Sequence, residues 1–449
     1  MNTTIGHSEH QSISKKMANM YLYVVYSLVT LYALCYQFQS PIEPFLVSKL
    51  LSDKNTTSDD NSADLAMTYA RVKSIFAVSQ GIGSLIFGKI LDTYGVRAGL
   101  IINFLACASC YYMLSITESV TMLYLSKLPG IAMTGFLCAE TAVFKLTKGG
   151  EERVKALGRL YTSYTIGGVL GPFIGGHLGA SGDYYIGAKM ATYGSLLAVL
   201  LVWIGLPSNM DNMKDQESES KGKKTILIKD KSKWIDNAIR VINLVWVFLF
   251  VKTVSSVANG LVSSQKPVIL KRLGANEALM GTVMSLQFGF GGFSNAFLLA
   301  PVTRIMGGKP SMVVRNCLIV LAMGHLLRGL LYSNSHNILS SWFPEGEVAR
   351  MYPFIGISLF LAIFQFSLAS SISASSSEIV DKTMQGTLVG IQHCLFAFAH
   401  MVGPQLGAYV YGLGDISGLC VAGAAIFGIV TIVFTRNYKE ETKLERRID

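Results

Sequence analysis

Four ionisable side chains sit inside long apolar stretches of this chain, and they carry the chemistry the sequence offers. Glu43 lies between Pro41 and Pro44, Lys127 precedes Leu128-Pro129-Gly130, Glu140 follows within the same apolar run, and Lys252 is the deepest charge of a later one. An ion held away from water is costly, so such residues mark solute paths, proton relays or static intramembrane salt bridges. Glu140 is the expected protonatable carboxylate, because a carboxyl group partly out of water can bind and release protons near neutrality. Lys252 is expected to act as a counter-charge to Glu140 or Glu43, or to meet a solute directly. Lys127 has a second reading, in which its long stem lets the ammonium snorkel to the membrane interface. Arg328 is read as a structural partner. His393 and His400 lie on one apolar run with no obvious partners and are read as packing residues.

Polar uncharged residues gather on the same runs. Gln37, Gln39 and Ser40 precede Glu43, Asn259 and Gln265 follow Lys252, and Gln365 stands in a serine-rich run with Ser367, Ser370, Ser371 and Ser373. Such a lining can hold a small molecule without a fixed point charge, and it can equally serve hydrogen bonds between helices. No nucleophile, metal-ligand or phosphate-loop constellation accompanies them, so an enzyme is not expected and no cofactor or metal is called for.

The elements that must position these groups are membrane helices. The chain has 449 residues, of which 51% are hydrophobic and 15% charged. Its apolar residues fall in about twelve runs of roughly 20, near 18–47, 69–91, 97–117, 120–145, 157–181, 185–206, 240–266, 279–300, 311–334, 352–377, 385–411 and 416–435. Composition alone argues for a multi-pass membrane protein and against a soluble one. Residues 207–239 form the long polar segment and divide the chain into an N-terminal half, 1–206, and a C-terminal half, 240–435, followed by a tail, 436–449. The net charge of +10 does not signal nucleic acid, because the basic residues alternate with the loops. With a cytosolic N-terminus, about 26 of the Lys and Arg fall on the cytosolic side and roughly 7 on the other, so both termini are expected in the cytosol. Asn55-Thr56-Thr57 is then a possible glycosylation site in the first external loop. All seven cysteines lie in apolar runs, and no disulfide framework is implied.

One segment has a sharper pattern. In residues 158–176, Gly167, Gly171 and Gly175 recur every fourth position and share a helix face that can press backbone to backbone on a neighbour. Pro172 removes a backbone donor from that helix and frees the carbonyl of Gly168. Gly158 and Gly176 complete a set that resembles motif C of the antiporter branches of the major facilitator superfamily. A weaker copy follows in the second half, where Gly403, Pro404, Gly407 and Ala408 come after Gly390 with the same spacing. Residues 88–97, with Gly88, Asp92, Gly95 and Arg97, resemble motif A of that superfamily, with Thr93 and Val96 in place of basic residues, and residues 300–309 echo them. Residues 123–130 are similar to motif B, with Lys127 where arginine is usual. Residues 126–130, 151–153, 156–160, 250–252, 386–390 and 403–404 look like the organic-cation-transporter-like branch of solute carrier family 22.

The resemblance implies an all-α membrane protein of twelve transmembrane helices, in two pseudo-symmetric six-helix halves. It implies a secondary transporter working by alternating access and exchanging protons for small organic, cationic or drug-like solutes. Motif A would fasten the cytosolic gate, motif C would seal its helix against leak, and Glu43, Lys127, Glu140, Lys252, Asn259 and Gln365 would line the substrate and proton pathway. Two further readings stay open: an uncoupled facilitator of a small anionic or zwitterionic metabolite, and a membrane scaffold or sensor that does not transport. The expected partners are the lipid bilayer, a small-molecule solute and protons, with a monomer the expected state. The plasma membrane and an organelle membrane are both open as its location.

Overall fold

A computed structural model describes residues 2–52, 61–147, 151–207, 231–305, 310–333, 347–380 and 384–448. Asn55 and most of the central polar segment lie outside the described residues, as do residues 306–309 of the motif A echo. The described chain is helical almost throughout and contains no strand. In hydrocarbon no water satisfies a backbone N–H or C=O, so an apolar chain must close those bonds within each segment, and helices do so.

The helices are α1 (Asn2–Phe38), α2 (Glu43–Ser52), α3 (Asn61–Ser115), α4 (Val120–Leu125), α5 (Gly135–Leu146), α6 (Glu151–Gly179) and α7 (Ile186–Gly205), followed by α8 (Lys231–Ser263), α9 (Lys266–Arg272), α10 (Glu277–Phe293), α11 (Leu299–Ile305), α12 (Pro310–Leu331), α13 (Glu347–Ile379) and α14 (Gln385–Ile448). A 3-10 turn, Leu128–Ala132, joins α4 to α5, and a π turn, Ser294–Leu298, joins α10 to α11. Local sequence sets several starts: Ser119 accepts from the Met122 N–H at 3.2 Å, and Asn276 accepts from the Leu279 N–H at 2.9 Å.

Eight segments of the described residues are long and apolar enough to cross a membrane: Met17–Ser52, Thr93–Ser115, Val120–Leu146, Ile186–Gly205, Ala238–Arg272, Ser311–Leu331, Ala349–Ile379 and Gly390–Asn437. The last spans 48 residues, about 72 Å as a straight helix against a hydrocarbon layer of roughly 30 Å. It turns at Asp415, where φ is 55 and ψ is −155. A non-glycine residue held there is strained, and Asp415 pairs with Arg272, which also donates to the Tyr411 hydroxyl at 3.1 Å. Helix α3 turns likewise at Gly95, with φ 82, a conformation glycine adopts without a Cβ clash. The expected runs 69–91 and 97–117 fall on either side of that bend.

Two compact units result, Met1–Leu46 with Ser79–Leu227 and Val47–Val78 with Ile228–Asp449. In the first, α1 packs most extensively on α6, then on α7 and α5. In the second, α8 packs against α14, and α12 against α13 and α14. Its core gathers Val241, Phe248, Val251, Leu318, Leu321, Ile372, Phe427 and Phe434, with the Phe248 and Phe434 rings edge to face at 5.9 Å. The start of α3 belongs to this second unit, where the Ser74 hydroxyl donates to the Met401 carbonyl at 2.7 Å. Leu200, Trp203 and Ile204 of α7 face outward, as a lipid-facing surface permits.

Candidate functional site: membrane-embedded charges on a glycine-packed frame

The glycines of α6 set how close its neighbour comes. A Cβ at Gly167 would lie 2.7 Å from the Ala33 Cβ and 2.8 Å from the Leu34 nitrogen, and one at Gly171 would lie 2.7 Å from the Gln37 Cβ. At Gly175 it would strike the Phe38 carbonyl group, with the carbon 2.7 Å away. The face thus fits the backbone of α1, and the Thr30 hydroxyl fastens the pair by donating to the Ser163 carbonyl at 3.1 Å. Pro172 and Gly176 are buried in the same helix. Gly158 has nothing within 4 Å of a Cβ and takes no part in the packing.

The second unit repeats the device. A Cβ at Gly403 would lie 3.1 Å from the Gly260 Cα and from the Val257 carbonyl oxygen, and one at Gly407 would lie 3.0 Å from the Leu261 carbonyl carbon. Gly171 and Gly175 therefore stand to Leu34, Gln37 and Phe38 of α1 as Gly403 and Gly407 stand to Val257, Gly260 and Leu261 of α8. The sequence echo is a structural repeat within each unit.

Close packing of α1 on α6 places the first charged group. Helix α1 stops at Phe38, a turn closes with the Glu43 N–H donating to the Gln39 carbonyl at 2.9 Å, and Glu43 opens α2. A carboxylate there is favoured by the unpaired N–H groups of the helix start. Lys127 stands in the break between α4 and the Pro129 turn, and its Nζ donates to Glu43 Oε1 at 2.6 Å. The two side chains are 10% and 5% exposed. Lys127 therefore does not snorkel, and the counter-charge of Glu43 is Lys127. Removing one partner leaves the other charge buried, so Glu43→Ala or Lys127→Ala is expected to lower stability by about 3–5 kcal/mol. Thermal unfolding of the purified variants checks this, and a Glu43→Gln, Lys127→Met double variant should recover most of the loss.

Glu140 is half-buried on α5 and has a phenol for a partner: the Tyr161 hydroxyl donates to its Oε1 at 3.1 Å. The Phe136 ring packs on Tyr161 at 5.2 Å and on Tyr164 at 5.5 Å. Glu43 and Lys127 neutralise each other, whereas Glu140 forms no ion pair among the described residues.

In the second unit, Lys252 Nζ donates to Gln392 Oε1 at 2.6 Å and to Ser373 Oγ at 3.4 Å, while Gln392 Nε2 donates to Ser376 Oγ at 2.9 Å. The partners of Lys252 within this unit are thus neutral amide and hydroxyl groups. Asn259 is half-buried with its Oδ1 unpartnered, and Gln365 is half-buried on α13. Gln265 donates to the Pro404 carbonyl at 3.3 Å and keeps Oε1 unpartnered. His400 packs on Phe396, with ring centroids 3.9 Å apart, and its Nδ1 lies 3.0 Å from the Phe396 carbonyl oxygen, whereas His393 is exposed.

Of the motif A residues, Gly88 and Asp92 are helical, and their side chains lie outside the described residues. Arg97 donates to the Trp203 carbonyl at 2.7 Å, against the C-terminal end of α7 where a cation is favoured. Sequence reasoning missed Tyr161 and Gln392, which partner Glu140 and Lys252. It also missed Lys266, which is buried. A signal existed for the last: Lys266-Pro267 repeats Glu43-Pro44.

Comparison with known proteins agrees with this frame. Mouse solute carrier family 22 member 18 is 25% identical over 399 residues, covering 86% of this chain and 88% of that protein. Human solute carrier family 67 member A1 is 29% identical over 244 residues, 53% of this chain and 54% of that protein. The class B tetracycline resistance protein of Escherichia coli is 32% identical over 120 residues, 26% of this chain and 29% of that one. Among solved structures, the human organic anion transporter MFSD10 (TETRAN) superposes with a TM-score of 0.62 at 15% identity, covering 93% of this chain and 99% of that one. A peptide transporter, POT, in complex with sulfate gives 0.65 at 14% identity, covering 93% and 94%. The model of the Major Facilitator Superfamily matches residues 25–327, and the chain belongs to that family of multi-pass membrane transporters.

Proposed function

We propose that this transporter exchanges protons for small organic solutes, cationic or drug-like, by alternating access between states open to opposite sides of the membrane. The observation that carries the reading is Glu140, a half-buried carboxylate in a membrane helix whose partner is the Tyr161 hydroxyl. Its charge is available to be answered by a proton in one state and by a solute cation in the other, which is the alternation an exchanger requires. Glu43 and Lys127 are already engaged with each other and supply the fixed end of α1. Motif A then acts as the cytosolic fastener, with Arg97 tying its bend to α7, and the termini face the cytosol in keeping with the charge bias of the loops.

The test is transport in liposomes that enclose a pH-sensitive dye. With a proton gradient imposed, adding organic cations is expected to drive proton flux across the membrane, and flux that ignores every cation tested overturns the reading. One observation favours a second reading, the uncoupled passage of an anionic or zwitterionic metabolite: Lys252 is a membrane cation with neutral partners and can receive a carboxylate. In that case Lys252→Ala abolishes tracer uptake and the pH gradient does not influence it. In the exchanger, Lys252→Ala changes solute preference and leaves proton movement coupled.

A further inference from the structure

The second unit contains a group of buried basic residues that neither reading uses. Arg328 of α12 is 0% exposed, and its Nε and both terminal nitrogens have no hydrogen-bond partner. A guanidinium carries five N–H donors, and leaving them unmade in a buried site is among the costliest arrangements a protein can hold. Phe354 covers it, with the ring centroid 4.7 Å from the guanidinium carbon, and a cation–π contact offsets only part of that cost. Two further basic groups interact with it electrostatically. Lys266, at the start of α9, is 7% exposed, and His325, one turn before Arg328, is 1% exposed with both ring nitrogens unpartnered. The Cys420 thiol, a weak acceptor that interacts with the guanidinium, and Tyr332 also lie beside Arg328, and the Phe427 ring stacks on His325 with centroids 5.5 Å apart. Tyr332 spends its hydroxyl on the Arg350 carbonyl. Among the described residues no carboxylate joins the group.

The internal repeat shows what is missing. The register that carries Leu34 to Val257 and Phe38 to Leu261 carries Glu43-Pro44 to Lys266-Pro267. In the first unit this position holds an anion, and Lys127 neutralises it. In the second unit the same position holds a lysine, and a guanidinium and an imidazole stand near it where the first unit has a carboxylate and an ammonium. The repeated position is thus closed by an ion pair in the first unit, whereas in the second its buried basic groups have no carboxylate among the described residues.

We infer that Lys266, His325 and Arg328 form a binding site for one small monovalent anion, a halide or a small carboxylate, which completes the second unit as Glu43 and Lys127 complete the first. The site is separate from the network of Lys252, so its occupancy holds α9, α12 and α14 together whether or not transport is coupled to protons.

Thermal unfolding of the purified full-length protein tests it, with sodium gluconate replaced stepwise by sodium chloride, or by sodium acetate, at constant ionic strength. The midpoint is expected to rise saturably by a few degrees with chloride or acetate, and whichever salt acts at the lower concentration identifies the occupant as halide or carboxylate. Lys266→Gln should raise the concentration needed at least tenfold, and Arg328→Gln should abolish the response. Equilibrium dialysis with radiolabelled chloride or acetate should give one bound anion per chain and none for Arg328→Gln. A wild-type midpoint indifferent to both anions, or a response unchanged in Lys266→Gln, overturns the site.

Discussion

Gly175→Leu is expected to destabilise the first unit by about 3 kcal/mol or more, the upper range for overpacking a close contact, and to leave little monodisperse protein after purification. The cause is the Phe38 carbonyl group, which occupies the space a Cβ would need. Backbone cannot move aside as a side-chain tip does, so α6 must withdraw from α1, and the Thr30 to Ser163 hydrogen bond opens with it. The end of α1 then loses the support that sets the turn before Glu43. Gly158→Leu is the matched control: it lies in the same motif and has nothing within 4 Å of a Cβ, so its effect should stay within about 0.5 kcal/mol. Thermal unfolding and gel-filtration profiles of the two variants read the difference. Equal losses at both positions would mean that the motif acts through something other than this contact.

The two glycines also differ in how much of their role the sequence carries. Glycine at every fourth residue determines a face, because helix geometry fixes which side chains share one, and so Gly167, Gly171 and Gly175 are legible as a packing stripe from their spacing alone. Gly158 has the same residue type but falls where no neighbour approaches, and only the fold shows that. The charges are legible in the same partial way. An apolar run makes an embedded Glu or Lys conspicuous, whereas its partner can come from any other run. Glu43 and Lys127 are 84 positions apart and meet because two helix breaks coincide; Lys252 and Gln392 are 140 apart. Pairing across such distances is set by tertiary packing, which a single sequence does not encode in any local period. The bends at Gly95 and Asp415 divide by sensitivity to residue type: glycine announces a positive φ, while an aspartate held there by Arg272 does not.

Glu140→Gln is expected to reduce solute-driven proton flux to that of empty liposomes while solute-for-solute exchange continues. The amide keeps the size of the side chain and can still accept from Tyr161, so α5 and its packing on Phe136, Tyr161 and Tyr164 should survive, but it has no proton to exchange. Exchange of labelled for unlabelled solute needs only that the loaded carrier reorient, and reorientation of a loaded carrier does not require a titrating group. The two assays therefore separate a coupling role from a structural one: a misfolded variant loses both, and a coupling variant loses the first. Tyr161→Phe provides the graded case. It removes the hydroxyl that donates to Glu140 at 3.1 Å, so the charged form loses a stabilising hydrogen bond and the carboxyl holds its proton more firmly. Coupled flux should then persist but reach half its maximum at a higher pH than in the wild type. Proton flux that survives Glu140→Gln undiminished would move the coupling site elsewhere, and a pH profile of Tyr161→Phe identical to the wild type would show that the phenol does not govern it.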